Sequence, residues 1–354
     1  MNILHISRTM GQGGAEKIVF QLSEAFVDLF EKTYIASIGG QLVEELERQG
    51  VNHIVLEDIE KKNPKTLLSN YRILNGLIRG NKISLVHVHH RMGLLYAQFL
   101  RLFNPSLRII YTAHNIFKDN QFLYKLLLTK VTCIAVGDGV KESLPLKNKD
   151  NVIVIYNGVR ESNDDYSPTE LMGYTGCKIL CAARLSEQKG QKYLLASVKQ
   201  LNEELTNIDF KVYLLGDGED REKLKKLSMT YDIDNFVEFL GYRRNVNNYI
   251  KDSDFVVLPS LWEGFPLTPI EVFMNKKTIV ATNIKGTDEI VTDTNGILVS
   301  PADSNSLADG LRFLIENPEA RKSKEIKAFN DYTNNFSYGQ FIAQYKKIFL
   351  EEVK

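Results

Sequence analysis

The segment Pro259-Ser260-Leu261-Trp262-Glu263-Gly264-Phe265-Pro266-Leu267-Thr268-Pro269-Ile270-Glu271 carries two carboxylates eight positions apart, with the only tryptophan of the chain beside them. An apolar run at 255–258 precedes it and a helical pattern follows. Glu263 therefore falls in a strand-to-helix loop and Glu271 in the first turns of the helix, where both can face one pocket. Carboxylates accept paired hydrogen bonds from sugar or ribose hydroxyls, and the amino end of a helix receives phosphate oxygens. The plain alternative is a solvated glutamate pair, for which a proline-bounded aromatic loop is a costly setting.

Basic and glycine-rich loops supply the opposite charge. Arg184 and Lys189 follow an apolar run at 178–183, in a loop that ends at Gly190. Two cations in one such loop can neutralise separate oxygens of a diphosphate, although an ordinary charged turn has the same composition. Gly216-Asp217-Gly218 closes the next apolar run in a similar backbone-exposing turn. The loop Arg8-Thr9-Met10-Gly11-Gln12-Gly13-Gly14-Ala15-Glu16 joins the first strand to the first helix, and its glycines let backbone amides approach an anion. The dinucleotide fingerprint requires a glycine or alanine where Glu16 stands and an acidic residue closing the second strand, and neither is met.

His114 stands at the carboxyl end of the run 109–113, an address where ligands collect; a histidine satisfied in a turn beside Asn115 is the alternative. His87 and His89 share a face by the strand period of two, with His90 next to them. A zinc site wants three or four converging ligands, so one partly buried histidine lining the cleft is the preferred reading. Asp232-Ile233-Asp234 and Asp252-Ser253-Asp254 spell Asp-x-Asp, a metal-diphosphate pattern, but Asp254 is expected to start the strand at 255–258.

Such loops need sheets behind them. Short apolar runs alternate with helical patterns along the whole chain, the signature of parallel strands with crossover helices. Strands are expected at 2–7, 33–37, 53–56, 85–88, 108–112, 133–136 and 152–155, and again at 178–183, 211–215, 237–240, 255–258, 278–281 and 296–299. The fold class is α/β, with two Rossmann-like doubly wound domains facing across a cleft. Residues 1–160 form the first domain, 161–176 a polar linker, and 177–335 the second domain. A terminal helix, 336–354, carries Phe341, Tyr345 and Phe349 at i, i+4 and i+8.

The composition, 44% hydrophobic and 25% charged, excludes disorder and fibrous folds. Three cysteines without a Cys-x-x-Cys pair make neither a disulfide scaffold nor a zinc module, and a reducing compartment fits them. No basic leader runs into an apolar stretch and no run reaches about 18 apolar residues, so neither export nor a membrane span is expected. Basic and acidic side chains both number 44, which argues against a nucleic-acid binder. Their distribution is uneven: 20 basic and 14 acidic over 1–160, against 24 and 30 over 161–354, with 16 and 7 over 51–160 alone. Just after His114, the segment 117–130 sets apolar residues among Lys118, Lys125 and Lys130, a pattern that suits an anionic bilayer surface or a core-facing helix.

In chain order, Gly13-Gly14-Ala15-Glu16, Thr112-Ala113-His114-Asn115, Tyr156-Asn157-Gly158-Val159, Arg184 through Gly190, Gly216-Asp217-Gly218 and Glu263 through Glu271 resemble the motifs of the retaining glycosyltransferases of family 4. The last matches the E-x7-E signature of that family. The resemblance runs over nearly the whole chain and implies the GT-B fold, with 1–160 as the acceptor-side domain, 177–335 as the nucleotide-sugar-binding domain and the terminal helix 336–354 returning toward the first domain. It implies that Arg184 and Lys189 bind the donor diphosphate and Glu271 the ribose hydroxyls. Glu263 and the amides of Gly264, Phe265, Leu267 and Thr268 would hold the donor sugar and its phosphates, with Gly13 and Gly14 facing the same phosphates. His114 would be the hydrogen-bond partner near the anomeric centre, and Tyr242 and Arg243 would lie near the base.

The reaction so implied is retaining transfer of a sugar from a nucleotide-sugar, a UDP-sugar, to a hydroxyl of a glycan or lipid-linked acceptor in cell-surface polysaccharide synthesis. It needs no metal and no cofactor, because Arg184, Lys189 and a helix amino end stabilise the departing diphosphate. The expected location is cytoplasmic and peripheral at the inner face of the plasma membrane, with an anionic membrane surface as partner and no nucleic acid. Two alternatives stand beside this reading: a non-catalytic nucleotide-sugar-binding scaffold subunit on the same fold, and a glycoside hydrolase, whose paired acids would here come with basic phosphate loops.

Overall fold

The computed structural model of the chain describes residues 1–353 apart from 12, 118, 162–164 and 206–208. Gln12, Lys118 and part of the expected linker thus lie outside the described residues. Two compact units are present: Met1–Asn157 with Gly339–Lys354, and Gly158–Tyr338. Val159 and Ser337 form a parallel bridge, and Tyr332 Oη donates to the Val159 carbonyl at 3.1 Å, so the entering and leaving segments are tied together within the second unit.

Among the described residues the first unit holds a seven-stranded parallel sheet. Its strands are β1 Asn2–Ile6, β2 Thr33–Ser37, β3 Asn52–Val55, β4 Ile83–Val88, β5 Arg108–Ala113, β6 Thr132–Ala135 and β7 Ile153–Val154, in the order β3-β2-β1-β4-β5-β6-β7. The helices are α1 Gly14–Ala25, α2 Val43–Arg48, α3 Pro64–Gly80, α4 Arg91–Phe103, α5 Gln121–Leu127 and α6 Asp138–Ser143. β1 and β2 are buried at every position, because crossover helices cover both faces of a parallel sheet. α3 begins where Asn63 Oδ1 accepts from the Thr66 amide at 2.8 Å and Pro64 supplies a ready-set φ at the first position.

The second unit repeats the plan with six strands: β8 Cys177–Ala182, β9 Phe210–Leu215, β10 Val237–Gly241, β11 Phe255–Leu258, β12 Ile279–Thr282 and β13 Ile297–Val299, in the order β10-β9-β8-β11-β12-β13. Its helices are α7 Gln191–Glu204, α8 Arg221–Thr230, α9 Val246–Asp252, α10 Thr268–Met274, α11 Ser304–Glu316 and α12 Pro318–Asp331. The core beneath them is built from Leu194, Val198, Phe210, Val212, Val257 and Leu311, all 0–1% exposed.

A last helix, α13 Tyr338–Val353, packs in the first unit from Gly339 onward. Phe341, Tyr345 and Phe349 are buried on one face. Phe349 meets Phe26 and Phe30 edge-on, at 4.9 and 5.6 Å between ring centroids, and Tyr345 Oη lies 2.9 Å from Thr112 Oγ1. Each such aromatic buries enough surface to stabilise the docked helix by roughly 1.5–3 kcal/mol.

Candidate active site

In the second sheet the strand order reverses between β8 and β11. Ligands of open α/β sheets settle outside the carboxyl ends of the strands at such a reversal. The loops after these two strands carry Lys189 and Glu263, and the structure pairs them. Lys189 Nζ lies 2.5 Å from Glu263 Oε1, and Ser260 Oγ donates to the same oxygen at 2.7 Å. The side chains are 19% and 8% exposed, so each charge is kept in place by the other. Lys189 is therefore not the free surface-loop cation that the sequence presents. Glu263 Oε2 has no partner among the described residues and remains able to accept from a ligand hydroxyl. Arg184 is exposed and holds Glu219 at 3.0 Å. An exposed pair of this kind is worth roughly 0–1 kcal/mol, so a phosphate can displace Glu219 at small cost.

Backbone contact sets the position of these loops. Gly190 has φ +65°, and a Cβ there would come within 2.1 Å of the Pro259 carbonyl oxygen. Gly216, at φ +141°, approaches the Ala183 carbonyl in the same way. Gly216-Asp217-Gly218 is thus occupied in packing the loop after β9 onto that after β8. Glu271 lies in the first turn of α10, and Gly264, Phe265, Leu267 and Thr268 lead into it, with Phe265 and Leu267 buried. Arg243 is held by Tyr249 Oη at 3.0 Å and Glu170 at 3.4 Å, while Tyr242 is exposed. Ser260 and Glu219, which complete the charge pairing, escaped the sequence reading because each is an ordinary loop residue until the fold brings it to its partner.

Both Asp-x-Asp pairs are structural. Asp254 accepts from the Lys178 amide at 2.8 Å and from Arg321 at 3.1 Å. Asp252 accepts from Thr169 and Tyr166, and Asp234 from Ser228. The cysteines are free; burial pushes Cys133 and Cys181 up to about 12 and Cys177 up to about 11, so none is poised as a nucleophile.

In the first sheet the order reverses between β1 and β4, and histidines gather there. His5 and His87 are register partners on β1 and β4; His89 follows β4 and His114 follows β5. The expectation of one partly buried histidine is corrected: all four are buried in one cluster, because neighbouring strands place residues 82 positions apart side by side. Burial lowers His5 and His114 to about 3 and holds His87 and His89 well below 6.5, so the cluster is uncharged at neutral pH. Gly13 caps α1, but the Glu16 carboxylate folds back over it, bonded to Thr9 Oγ1 and filling the space a Cβ on Gly13 would need. A phosphate reaching Gly13 and Gly14 at this helix end has to displace that carboxylate.

The sequence matches the family description Glycosyl transferases group 1 over residues 174–331 and Glycosyltransferase Family 4 over residues 12–163. The chain belongs to these glycosyltransferases. An uncharacterized glycosyltransferase of Methanocaldococcus jannaschii is 26% identical over 300 residues, 80% of either chain. The UDP-Gal:alpha-D-GlcNAc-diphosphoundecaprenol alpha-1,3-galactosyltransferase of Escherichia coli is 26% identical over 324 residues, covering 82% of this chain and 80% of its own. Among solved structures, HepE of Anabaena in complex with UDP-glucose has a TM-score of 0.84 at 19% identity, covering 99% of this chain and 100% of HepE. This glycosyltransferase therefore has the GT-B fold, with two parallel-sheet Rossmann-like domains. Among its described residues, no helix is long and apolar enough to cross a membrane.

Proposed function

We propose that the enzyme transfers a sugar, with retention at the anomeric carbon and without a metal, from a UDP-sugar to a hydroxyl of a lipid-linked or oligosaccharide acceptor in cell-surface glycan synthesis. The observation that carries this reading is the Lys189–Glu263 pair at the strand reversal of the second sheet, with exposed Arg184 in the same loop as Lys189 and Glu271 opening the next helix. As the diphosphate departs, negative charge builds on its oxygens; Lys189 and Arg184 stabilise that charge. Glu263 orients the lysine through Oε1 and accepts a sugar hydroxyl at Oε2. Glu271 takes the ribose hydroxyls, Gly264, Phe265, Leu267 and Thr268 offer backbone amides, and His114 is the hydrogen-bond partner of the reacting sugar. Gly13 and Gly14 meet the phosphates once Glu16 moves. The bound UDP-glucose of HepE and the diphosphoundecaprenol acceptor named for the Escherichia coli relative support the choice of donor and acceptor.

The acceptor side is the basic first unit, and the enzyme is proposed to work at the inner membrane face. On α5, Tyr124 and Leu127 are buried while Phe122, Leu123 and Leu126 are exposed, so this helix both faces the core and offers an apolar outer side next to Lys125. Adjoining it, α3, α4 and α5 line two cavities of about 350 and 260 Å³ that share Leu67 and Leu95. Lys118, the third lysine of this segment, is outside the described residues.

Release of UDP from a panel of UDP-sugars, measured with and without membrane extract, tests the reaction. Acceptor-dependent release supports it; donor binding without turnover identifies a scaffold, and glycan cleavage without nucleotide release a hydrolase. The anomeric configuration of the product tests retention, and turnover surviving a chelator tests independence from metal. Co-sedimentation with anionic vesicles tests membrane contact: binding by the intact protein, lost in Lys125→Glu/Lys130→Glu and in Phe122→Ser/Leu126→Ser, is the expected result, and no binding by the intact protein refutes it.

A further inference from the structure

Two helices of the first unit set apolar stripes against each other. On α4, Arg91, Leu95, Phe99 and Phe103 recur every four positions and so share one side of the helix. On α3, Pro64, Leu67, Leu68 and Tyr71 recur at three and four. The apolar members of both stripes line the cavity of about 350 Å³, and Leu67 and Leu95 carry it on into the cavity of about 260 Å³. Together these form a groove open to solvent, since Leu68 and Phe99 are each 49% exposed and Phe103 is 60% exposed. Tyr71 and Phe103 meet edge-on across one end, at 6.1 Å between ring centroids. The one buried tyrosine of the wall, Tyr96, has its hydroxyl engaged by Asn70 Nδ2 at 3.3 Å, so its ring is what faces the groove. An open apolar surface of this kind costs free energy until something apolar covers it.

The other end is cationic. Lys62 and Arg91 line the second cavity, and Lys61 and Lys65 are exposed alongside. The nearby acids are engaged: Glu57 accepts from Thr66 Oγ1 at 2.6 Å, while Asp58 and Glu60 pair with Arg8 at 3.0 and 2.7 Å. Among the described residues, none of Lys61, Lys62 and Lys65 pairs with a carboxylate. Arg91 is fixed at the mouth by both oxygens of the exposed Asp119 at 2.9 Å and lies over the Phe117 ring at 4.3 Å. β4 gives way to Arg91 through His89 and His90, so this mouth lies at the carboxyl edge of the sheet, where His114 follows β5. From there α4 carries the apolar wall over 13 residues, roughly 20 Å at 1.5 Å per residue.

We propose that this groove holds the hydrocarbon chain of the lipid-linked acceptor, with the phosphate of the lipid at Lys62 and Arg91 and its sugar at the carboxyl edge of the sheet. The proposal rests on the reading that the acceptor is lipid-linked, and deepens it by stating where the lipid lies. Charge gathered at one end of an otherwise apolar groove matches a molecule with one anionic head and one apolar tail. A bilayer surface instead meets the outward side of α5, through Phe122 and Leu126, neither of which lines the groove. A second copy of this chain would bring its own lysines against the same mouth, a like-charge contact.

Titration calorimetry on the full chain tests this with farnesyl diphosphate as probe, in saturating UDP so that a diphosphate cannot occupy the donor site. Farnesyl diphosphate should bind at least about 10-fold more tightly than dimethylallyl diphosphate, which has the same head and a much shorter chain. Phe99→Ser, which removes apolar wall, and Leu68→Trp, which fills the groove while keeping it apolar, should each weaken farnesyl diphosphate about 10-fold and leave UDP affinity unchanged. Lys62→Glu should weaken it as well, whereas Phe122→Ser/Leu126→Ser should not. Thermal melts confirm that each variant unfolds cooperatively. Equal affinity for the two diphosphates, indifference to both Phe99→Ser and Leu68→Trp, equal displacement by short-chain phosphatidylglycerol, or a dimer in sedimentation that Phe99→Ser dissociates overturns the groove as the acceptor-lipid site. The reading beneath it fails differently: UDP release driven by the water-soluble glycan fraction of the cell and not by its lipid extract refutes a lipid-linked acceptor, whereas release on the lipid extract with a groove indifferent to these variants refutes the groove alone.

Discussion

Mild acid should destabilise the first unit and spare the second. All six histidines of the chain fall within Met1–Asn157, and Gly158–Tyr338 contains none. Burial lowers His5 and His114 to about 3, against an ordinary value of 6.5. A histidine of this kind takes up its proton in the unfolded chain long before it does so in the folded one. Its contribution to stability is therefore complete above about pH 6.5 and drains away as the pH falls from there toward 3. At about pH 5 each such residue favours the unfolded chain by about 2 kcal/mol, so His5 and His114 together remove about 4 kcal/mol, with His87 and His89 adding in the same direction. That is a large share of the roughly 5–15 kcal/mol by which a domain is stable. Hydrogen exchange at pH 7.5 and pH 5, corrected for the intrinsic rates, should show the amides of β1, β4 and β5 opening about 1,000-fold more often in acid. The fluorescence of Trp262, in the second unit, should stay that of the folded state. Equal protection of the first sheet at both pH values, or loss of the Trp262 signal first, would show that the histidines are not held neutral by burial.

Arg184→Ala combined with Lys189→Ala should abolish transfer, by roughly 3–6 kcal/mol of transition-state stabilisation for two charged hydrogen bonds, as read from initial rates of UDP release; near-normal turnover would end the donor-site assignment. Lys189→Ala alone should also lower the melting point of the second unit, because Glu263 is left buried with only the Ser260 hydroxyl, and Lys189→Ala/Glu263→Gln should recover part of that loss. Glu271→Ala should weaken UDP binding in calorimetric titration while His114→Ala lowers kcat; the opposite pattern would mean their roles are exchanged. Gly190→Ala should cost about 1–3 kcal/mol and displace the Lys189 loop, since φ +65° and the Pro259 carbonyl both oppose a Cβ, and an unchanged melting curve would contradict the packing described.

Thirteen strands were legible in the sequence, most of them because a parallel strand buried on both faces reads as an apolar run whatever its neighbours are; β3 and β7, at the two ends of the first sheet, are only partly buried. Their ends moved by one or two residues, as at β3, expected at 53–56 and found at Asn52–Val55, since the last ladder bonds depend on the partner strand. The loops that bear Arg184, Lys189 and Glu263, and the helix start that bears Glu271, were legible for a related reason: proline, glycine and charge interrupt apolar runs at strand ends. What the sequence could not show was who meets whom. Lys189 and Glu263 lie 74 positions apart and become a pair only because β8 and β11 are neighbours at the strand reversal. His5, His89 and His114 read as scattered residues on three separate segments, and it is the order β1-β4-β5 that turns them into one hydrogen-bonded chain. Phe341, Tyr345 and Phe349 announce a helix with an apolar face, yet the groove that receives it, formed by Phe26, Phe30 and Thr112, is assembled from residues more than 200 positions away. Local pattern determines which face of an element is apolar or charged; the sheet order decides which other face it meets, and with it which charges are neutralised and which remain for a ligand.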